Sequence, residues 1–226
     1  MKTQITIFSL LLLLFGTPIW SQGNKIILIN REPLDTTRYD DFKGSPYLFD
    51  KLVKVNIKGV NGEEFKGLKG NYNGFDNDFE IVQNGSYIRL PSKIYPEIMI
   101  LKSDNPSRKD VIRDTLIIRS NINSKLSSGY HVVLHEGDKY ILANYFYVKD
   151  YENTVQTPGV ATSFRRFNRK NELAVIMDDT IVKFKLSTKN IQKAFSDDPY
   201  IQQYIKSTKN KLNSEQALIE MFDEID

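Results

Sequence analysis

The chain contains no cysteine. Disulfides, thiol nucleophiles and thiolate metal sites are therefore excluded, as is the lipid-bearing cysteine that anchors a bacterial lipoprotein behind its leader. Histidine is almost as scarce, with 2 residues in 226, which leaves little material for imidazole chemistry. Neither sign of charge dominates: 31 basic and 28 acidic residues leave a formal net charge of +3, a mixed surface without a nucleic-acid footprint. There is no GxSxG elbow, no phosphate-binding P-loop and no HExxH pair. Carboxylates remain as a catalytic resource, because a glycosidase pair can be assembled from distant strands and leaves no spacing to read.

What is present is strand-forming. The chain has 12 Tyr and 13 Phe, with 40% hydrophobic and 26% charged residues, the balance of a globular protein that buries a core by packing alone. Residues 1–21 have the layout of a secretory signal peptide: Lys2 as a basic n-region, Ile5–Phe15 as the apolar run, and a polar exit ending at Ser21. The apolar run is shorter than the ~20 residues a spanning helix needs and ends in Gly16 and Pro18. The expectation is an exported chain, periplasmic, outer-membrane-associated or extracellular, with no transmembrane segment after cleavage.

From residue 22 the chain reads as short strands and turns, with Arg31–Lys43, polar and carrying Pro33, as a loop that shows neither period. Lys25–Asn30 reads as a strand, and Val53, Val55 and Ile57 alternate with Lys54, Asn56 and Lys58 in a half-buried one. Asn61-Gly62 and Asn84-Gly85 are the turn pairs that tight hairpins prefer, so Glu64–Tyr72 runs back on the first strand and Phe79–Gln83 pairs with Ser86–Leu90. Asn84-Gly85-Ser86 also fits a glycosylation sequon, but the turn accounts for it. Glu97–Lys102 and Val111–Arg119 come next as strands around the polar loop Ser103–Lys109. Gly129–Asp150 then reads as a central hairpin, Tyr130–His135 and Lys139–Lys149, joined at Glu136-Gly137-Asp138. Tyr151–Gly159 is expected as a loop, Ala161–Asn168 as a strand, and Glu172–Met177 with Thr180–Leu186 as a hairpin turning at Asp178-Asp179.

The period changes at Ser187. Ser187 or Thr188 can cap a helix to Phe195, Asp198 with Pro199 starts a second, and Asn213 with Gln216 resembles a capping box for a third. The fold class expected from this pattern is mainly β: an antiparallel meander forming a barrel or sandwich over residues 22–187, with two or three short C-terminal helices over 188–226 docked on it, α+β by content. A membrane barrel is disfavoured because Lys54, Lys58, Arg89 and Arg113 interrupt the apolar alternation.

Three groups of residues carry possible chemistry. His131 and His135 would be neighbours on a helix, but Val132-Val133 favours a strand. There ~3.4 Å per residue sets them on one face about 13 Å apart, against the ~4 Å that two ligands of one metal allow. No metal and no cofactor is expected; with Tyr145 and Tyr147 these histidines are candidate surface contacts. Asp76-Asn77-Asp78-Phe79-Glu80 begins like a calcium loop, but Ile81 and Tyr87 stand where that loop needs its glycine and its bidentate glutamate. Arg165, Arg166, Arg169 and Lys170, beside Phe164 and Phe167, suit an anionic polysaccharide, a lipid headgroup or an acidic partner.

The leader, the segment Lys43-Gly44-Ser45-Pro46-Tyr47-Leu48, the strand–turn–strand Lys51–Lys69 and Tyr204-Ile205-Lys206 with Asn210-Lys211-Leu212 before an acidic last helix resemble exported β-rich proteins of Gram-negative bacteria. That resemblance implies an envelope location and brings no catalytic residues with it. It also implies O-glycan acceptors at Asp35-Thr36-Thr37, Asp114-Thr115-Leu116 and Asp179-Thr180-Ile181. The functional expectation is a non-catalytic binding or structural module whose partner is an envelope protein or a cell-surface glycan. Two alternatives stay open: a glycan hydrolase using Asp and Glu, and a carrier of a small apolar ligand.

Overall fold

The computed structural model describes residues 34–35, 37–101, 115–126, 128–157, 160–178, 180–208 and 211–226, the backbone alone at 155–157 and 160–162. The expected leader, the strand Lys25–Asn30 and the loop Ser103–Lys109 lie outside these residues, as do Thr36, Asp114 and Asp179 of the three acceptor triplets. The described residues form β1 (Phe42–Lys43), β2 (Val53–Lys58), β3 (Glu64–Asn73), β4 (Asp78–Gln83), β5 (Ser86–Leu90), β6 (Glu97–Leu101) and β7 (Thr115–Ser120). After these come β8 (Tyr130–Glu136), β9 (Ile141–Thr157), β10 (Val160–Met177) and β11 (Thr180–Phe184), then α1 (Thr188–Ala194), α2 (Pro199–Ser207) and α3 (Glu215–Ile225).

All eleven strands belong to one open sheet, ordered β1-β10-β9-β8-β7-β6-β2-β3-β4-β5, with β11 also on β10. Every pairing is antiparallel except β1 with β10. Mainly β with short C-terminal helices is thus the fold, and hairpin follows hairpin from β2 to β5 and from β6 to β11. The meander is interrupted once, where the chain leaves β5 at one end of the sheet and sets β6 beside β2.

The local signals act where they stand. Asn84 and Gly85 take φ of 52° and 78°, the left-handed pair a two-residue turn demands. Ser187 Oγ accepts from the Asn190 amide, and Asp198 accepts from the amides of Tyr200 and Ile201 ahead of Pro199. The third cap falls one residue later than expected: Ser214, not Asn213, accepts from the Ala217 amide.

Four strands separate β3 from β9 in the sheet, which in a flat sheet would hold them about 24 Å apart. Instead the Val148 amide donates to the Gly74 carbonyl, just past β3, at 2.8 Å. The sheet therefore rolls over on itself and encloses a core of Tyr72, Phe79, Ile98, Ile118, Tyr130 and Phe146. Gly74 permits the closure, because a Cβ there would stand 2.5 Å from the Phe146 ring. α3 closes the remaining side with Leu218, Met221 and Phe222 buried.

The largest departure from expectation lies in the expected loop Tyr151–Gly159, of which 158–159 are outside the described residues. Residues 151–157 are not a loop: β9 runs unbroken for 17 residues against the 18 of β10. The heptad Tyr151–Thr157 holds neither Gly nor Pro, and the Pro158-Gly159 pair, the turn signal, comes only after it.

Candidate functional site

The backbone register of the long hairpin holds from Ile141↔Ile176 to Thr157↔Val160 without a bulge, so its described side chains alternate strictly between two faces. Leu142, Phe146, Val148, Phe167, Leu173 and Val175 occupy one face and belong to the core. The other face carries Tyr145, Tyr147, Lys149 and Tyr151 on β9, and Glu172, Lys170, Asn168, Arg166 and Phe164 on β10. Side-chain contacts agree with this division. Tyr145 stacks on Tyr147 with ring centres 5.3 Å apart, Lys149 Nζ lies 5.8 Å from the Tyr147 ring, and Lys43 of β1, in register with Arg166, sits 3.7 Å over Phe164.

This outer face has an excess of one charge. Its one carboxylate over this stretch, Glu172, is bonded to Lys183 at 2.6 Å. Lys43, Lys149 and Arg166 are exposed and Lys170 is half-buried, and among the described residues none of the four forms an ion pair. Tyr151 stands 45% exposed between them. Elsewhere on the sheet the same kind of charge is opposed: Arg119 lies 2.9 Å from Glu97 and 2.6 Å from Glu136.

The expected basic cluster is therefore divided. Arg165 and Arg169 lie on the core-side face and brace the structure: Arg165 bonds Asp150 at 2.6 Å and covers the Phe42 ring, and Arg169 donates to the Leu48 carbonyl at 2.6 Å. Arg166 and Lys170 lie on the outer face and are joined there by Lys43, Lys149 and Tyr151, which sequence reasoning missed. The signal was available: Tyr145, Tyr147, Lys149 and Tyr151 are spaced by two, but a loop beginning at Tyr151 hides the period.

The two histidines part company. His131 stays on the outer face, 5.0 Å from the Tyr145 ring, and burial pushes its imidazole below the ordinary value. Pairing shifts by one residue between Val133 and His135, a bulge at Leu134 that re-aims the strand beyond it. His135 accordingly meets α3: Nδ1 is 2.7 Å from Asp223 and Nε2 is 2.9 Å from Asp226, whose carboxylate also accepts from the amides of Lys139 and Tyr140. The expectation that both rings share one open face is thus corrected. Of the four residues named on this hairpin, His131, Tyr145 and Tyr147 form one stacked row and His135 fastens the last helix.

The acidic run Asp76–Glu80 converges on two arginines. Glu80, fully buried, accepts from Arg38 at both oxygens (2.6 and 2.7 Å), from Tyr47 at 2.9 Å and from Asn73 at 2.8 Å. These four bonds fill the acceptor sites of a carboxylate, which leaves it no lone pair for a substrate proton. Burial, and then the Glu80 charge, push the Tyr47 phenol up to about 12, so it remains a donor. Asp76 and Asp78 both pair with Arg89, at 3.2 and 3.0 Å. Among the described residues no group of three or more acidic or histidine side chains is arranged to hold a metal ion.

Comparison of the chain with protein-family models, with curated proteins and with solved structures gives no match. No helix among the described residues is long and apolar enough to cross a membrane.

Proposed function

We propose that the protein is an exported, non-catalytic binding module of the cell envelope that holds an anionic cell-surface polysaccharide on the outer face of the β9–β10 hairpin. The observation that carries the reading is the separation of charge along this hairpin: Asp150 and Glu152 fall on one face with Arg165, while Lys43, Lys149, Arg166 and Lys170 on the other form no ion pair among the described residues. Tyr151, 45% exposed, and Tyr147 at the end of the row suit a sugar chain, since a flat tyrosine ring receives the C–H faces of pyranose rings, whereas Tyr145 is committed to Tyr147 by stacking and to Asn77 by its hydroxyl at 2.7 Å. The interleaved ammonium and guanidinium groups then meet the carboxylate or sulfate of each unit. The leader-like first 21 residues support export.

The test is calorimetry of the purified chain with polygalacturonate and with neutral dextran. Binding to polygalacturonate that weakens as salt rises, with none to dextran, is the expected result. Equal affinity for the two polymers, or no binding to either at low salt, overturns the proposal.

A further inference from the structure

The free edge of β10 is covered in two places, by β1 at Arg165 and Arg166 and by β11 from Leu173 to Met177. Between them, residues 167–172 lack a strand partner on that side among the described residues. At the upper end of this gap, where β11 gives way to α1, lies a cleft of about 780 Å³, within the ~300–1,000 Å³ usual for small-molecule sites.

The cleft is polar and built. The cleft wraps the uncovered edge of β10: Tyr147 and Glu172 reach it from the outer face and Asn171 from the core-side face, and α1 contributes Asn190 and Lys193. Lys185 follows β11, and Glu215 stands at the start of α3. Lys185 and Lys193 form no ion pair among the described residues. Asn144, with no exposed surface, donates its amide to Glu215 at 2.6 Å and to Asn171 at 3.3 Å, holding both in place.

Tyr147 belongs both to this cleft and to the tyrosine row of the outer face. We infer that the cleft seats a single uronic acid residue, the end of the polysaccharide whose chain runs over the β9–β10 face. Tyr147 receives the sugar ring, Lys185 and Lys193 take its carboxylate, and the Asn171 and Asn190 amides with the Glu215 carboxylate meet its hydroxyls. The inference rests on the proposed function for the class of ligand; the two sites share Tyr147 and otherwise use different residues.

The experiment titrates D-glucuronate, D-glucose and a short oligogalacturonate into the whole chain, followed by ligand-observed NMR. It compares wild type with a cleft variant (N190A with K193A, both exposed on α1) and a face variant (K149E with R166E). Thermal melts establish that each variant folds. Glucuronate should bind and glucose should not; the cleft variant should weaken glucuronate by roughly tenfold and the face variant should leave it unchanged. The oligogalacturonate should be weakened by both. If glucuronate fails to bind, or binds equally to wild type and cleft variant, the cleft inference is overturned. An oligogalacturonate that still loses affinity in the face variant would then leave the proposed function standing. If glucuronate binds and is lost in the cleft variant while the oligogalacturonate ignores the face variant, the cleft holds and the face reading fails.

Discussion

Arg165 and Arg166 are adjacent in the chain and serve opposite faces of one strand. Arg165 is bonded to Asp150 at 2.6 Å, whereas Arg166 lies in register between Lys43 and Tyr151 and forms no ion pair among the described residues. Substituting each in turn separates their roles. R166E should weaken polygalacturonate binding roughly tenfold and flatten its salt dependence. R165A should leave binding intact and change stability by less than ~1 kcal/mol, since its ion pair is half exposed. Calorimetry at two salt concentrations, with urea melts, reads both; equal loss of binding in the two variants contradicts the division of faces.

The buried Arg38–Glu80 pair is expected to be structural. E80Q leaves the Arg38 guanidinium, only 17% exposed at the side chain, without its counter-charge and should cost about 3 kcal/mol. Replacing both partners with apolar residues, R38M with E80L, should cost less than either of R38M or E80L alone, because no stranded charge remains. Urea midpoints for the three variants decide it. A double variant as unstable as the sum of the singles would mean that the pair is not coupled.

Gly74 should tolerate no side chain. The Cβ of G74A would stand 2.5 and 2.7 Å from two Phe146 ring atoms and 3.1 Å from Val148, an overpacking that costs roughly 1–3 kcal/mol. Phe146 is the neighbour that must yield, so adding F146L should recover part of the loss relative to F146L alone. Denaturation of the four proteins of this cycle measures the coupling, and no recovery would locate the strain elsewhere.

The Asp226 latch gives stability a dependence on acid. Burial pushes this carboxyl up, but hydrogen bonds from His135 and from the Lys139 and Tyr140 amides outweigh burial and hold it below the ordinary 3.8. A carboxyl depressed in the folded state binds its proton more readily when unfolded. Its contribution is therefore complete above 3.8 and is lost as pH falls through 3.8 towards the folded value. D226N should lower stability by about 1–2 kcal/mol at neutral pH and by progressively less below 3.8. Urea melts of both proteins across pH 7 to 3 provide the check; a constant difference down to pH 3 would contradict the latch.

Much of the fold was legible because its signals are local. A left-handed turn requires Asn-Gly at 84–85, a helix start requires an oxygen such as that of Asp198 beside Pro199, and a half-buried strand requires the alternation of Val53, Val55 and Ile57. Each of these is decided within a few residues by sterics and hydrogen bonding, whatever the rest of the chain does. The three helices, and every strand pair joined by a tight turn, rest on signals of that kind.

The site depended on pairings between distant segments. β6 beside β2, Val148 on Gly74 and the bulge at Leu134 arise from cross-strand bonding that carries no mark in the linear text. The bulge sends His135 to α3 and leaves His131 with Tyr145. Likewise Arg165, Arg166, Arg169 and Lys170 look equivalent as a run of charge. Composition alone determined that the protein has aromatic and basic residues without thiols or catalytic motifs. Tertiary structure decided which of those bases are already paired, because only the pleat of a long, unbroken hairpin sorts neighbours onto opposite faces and brings Asp150 to one arginine and none to the next.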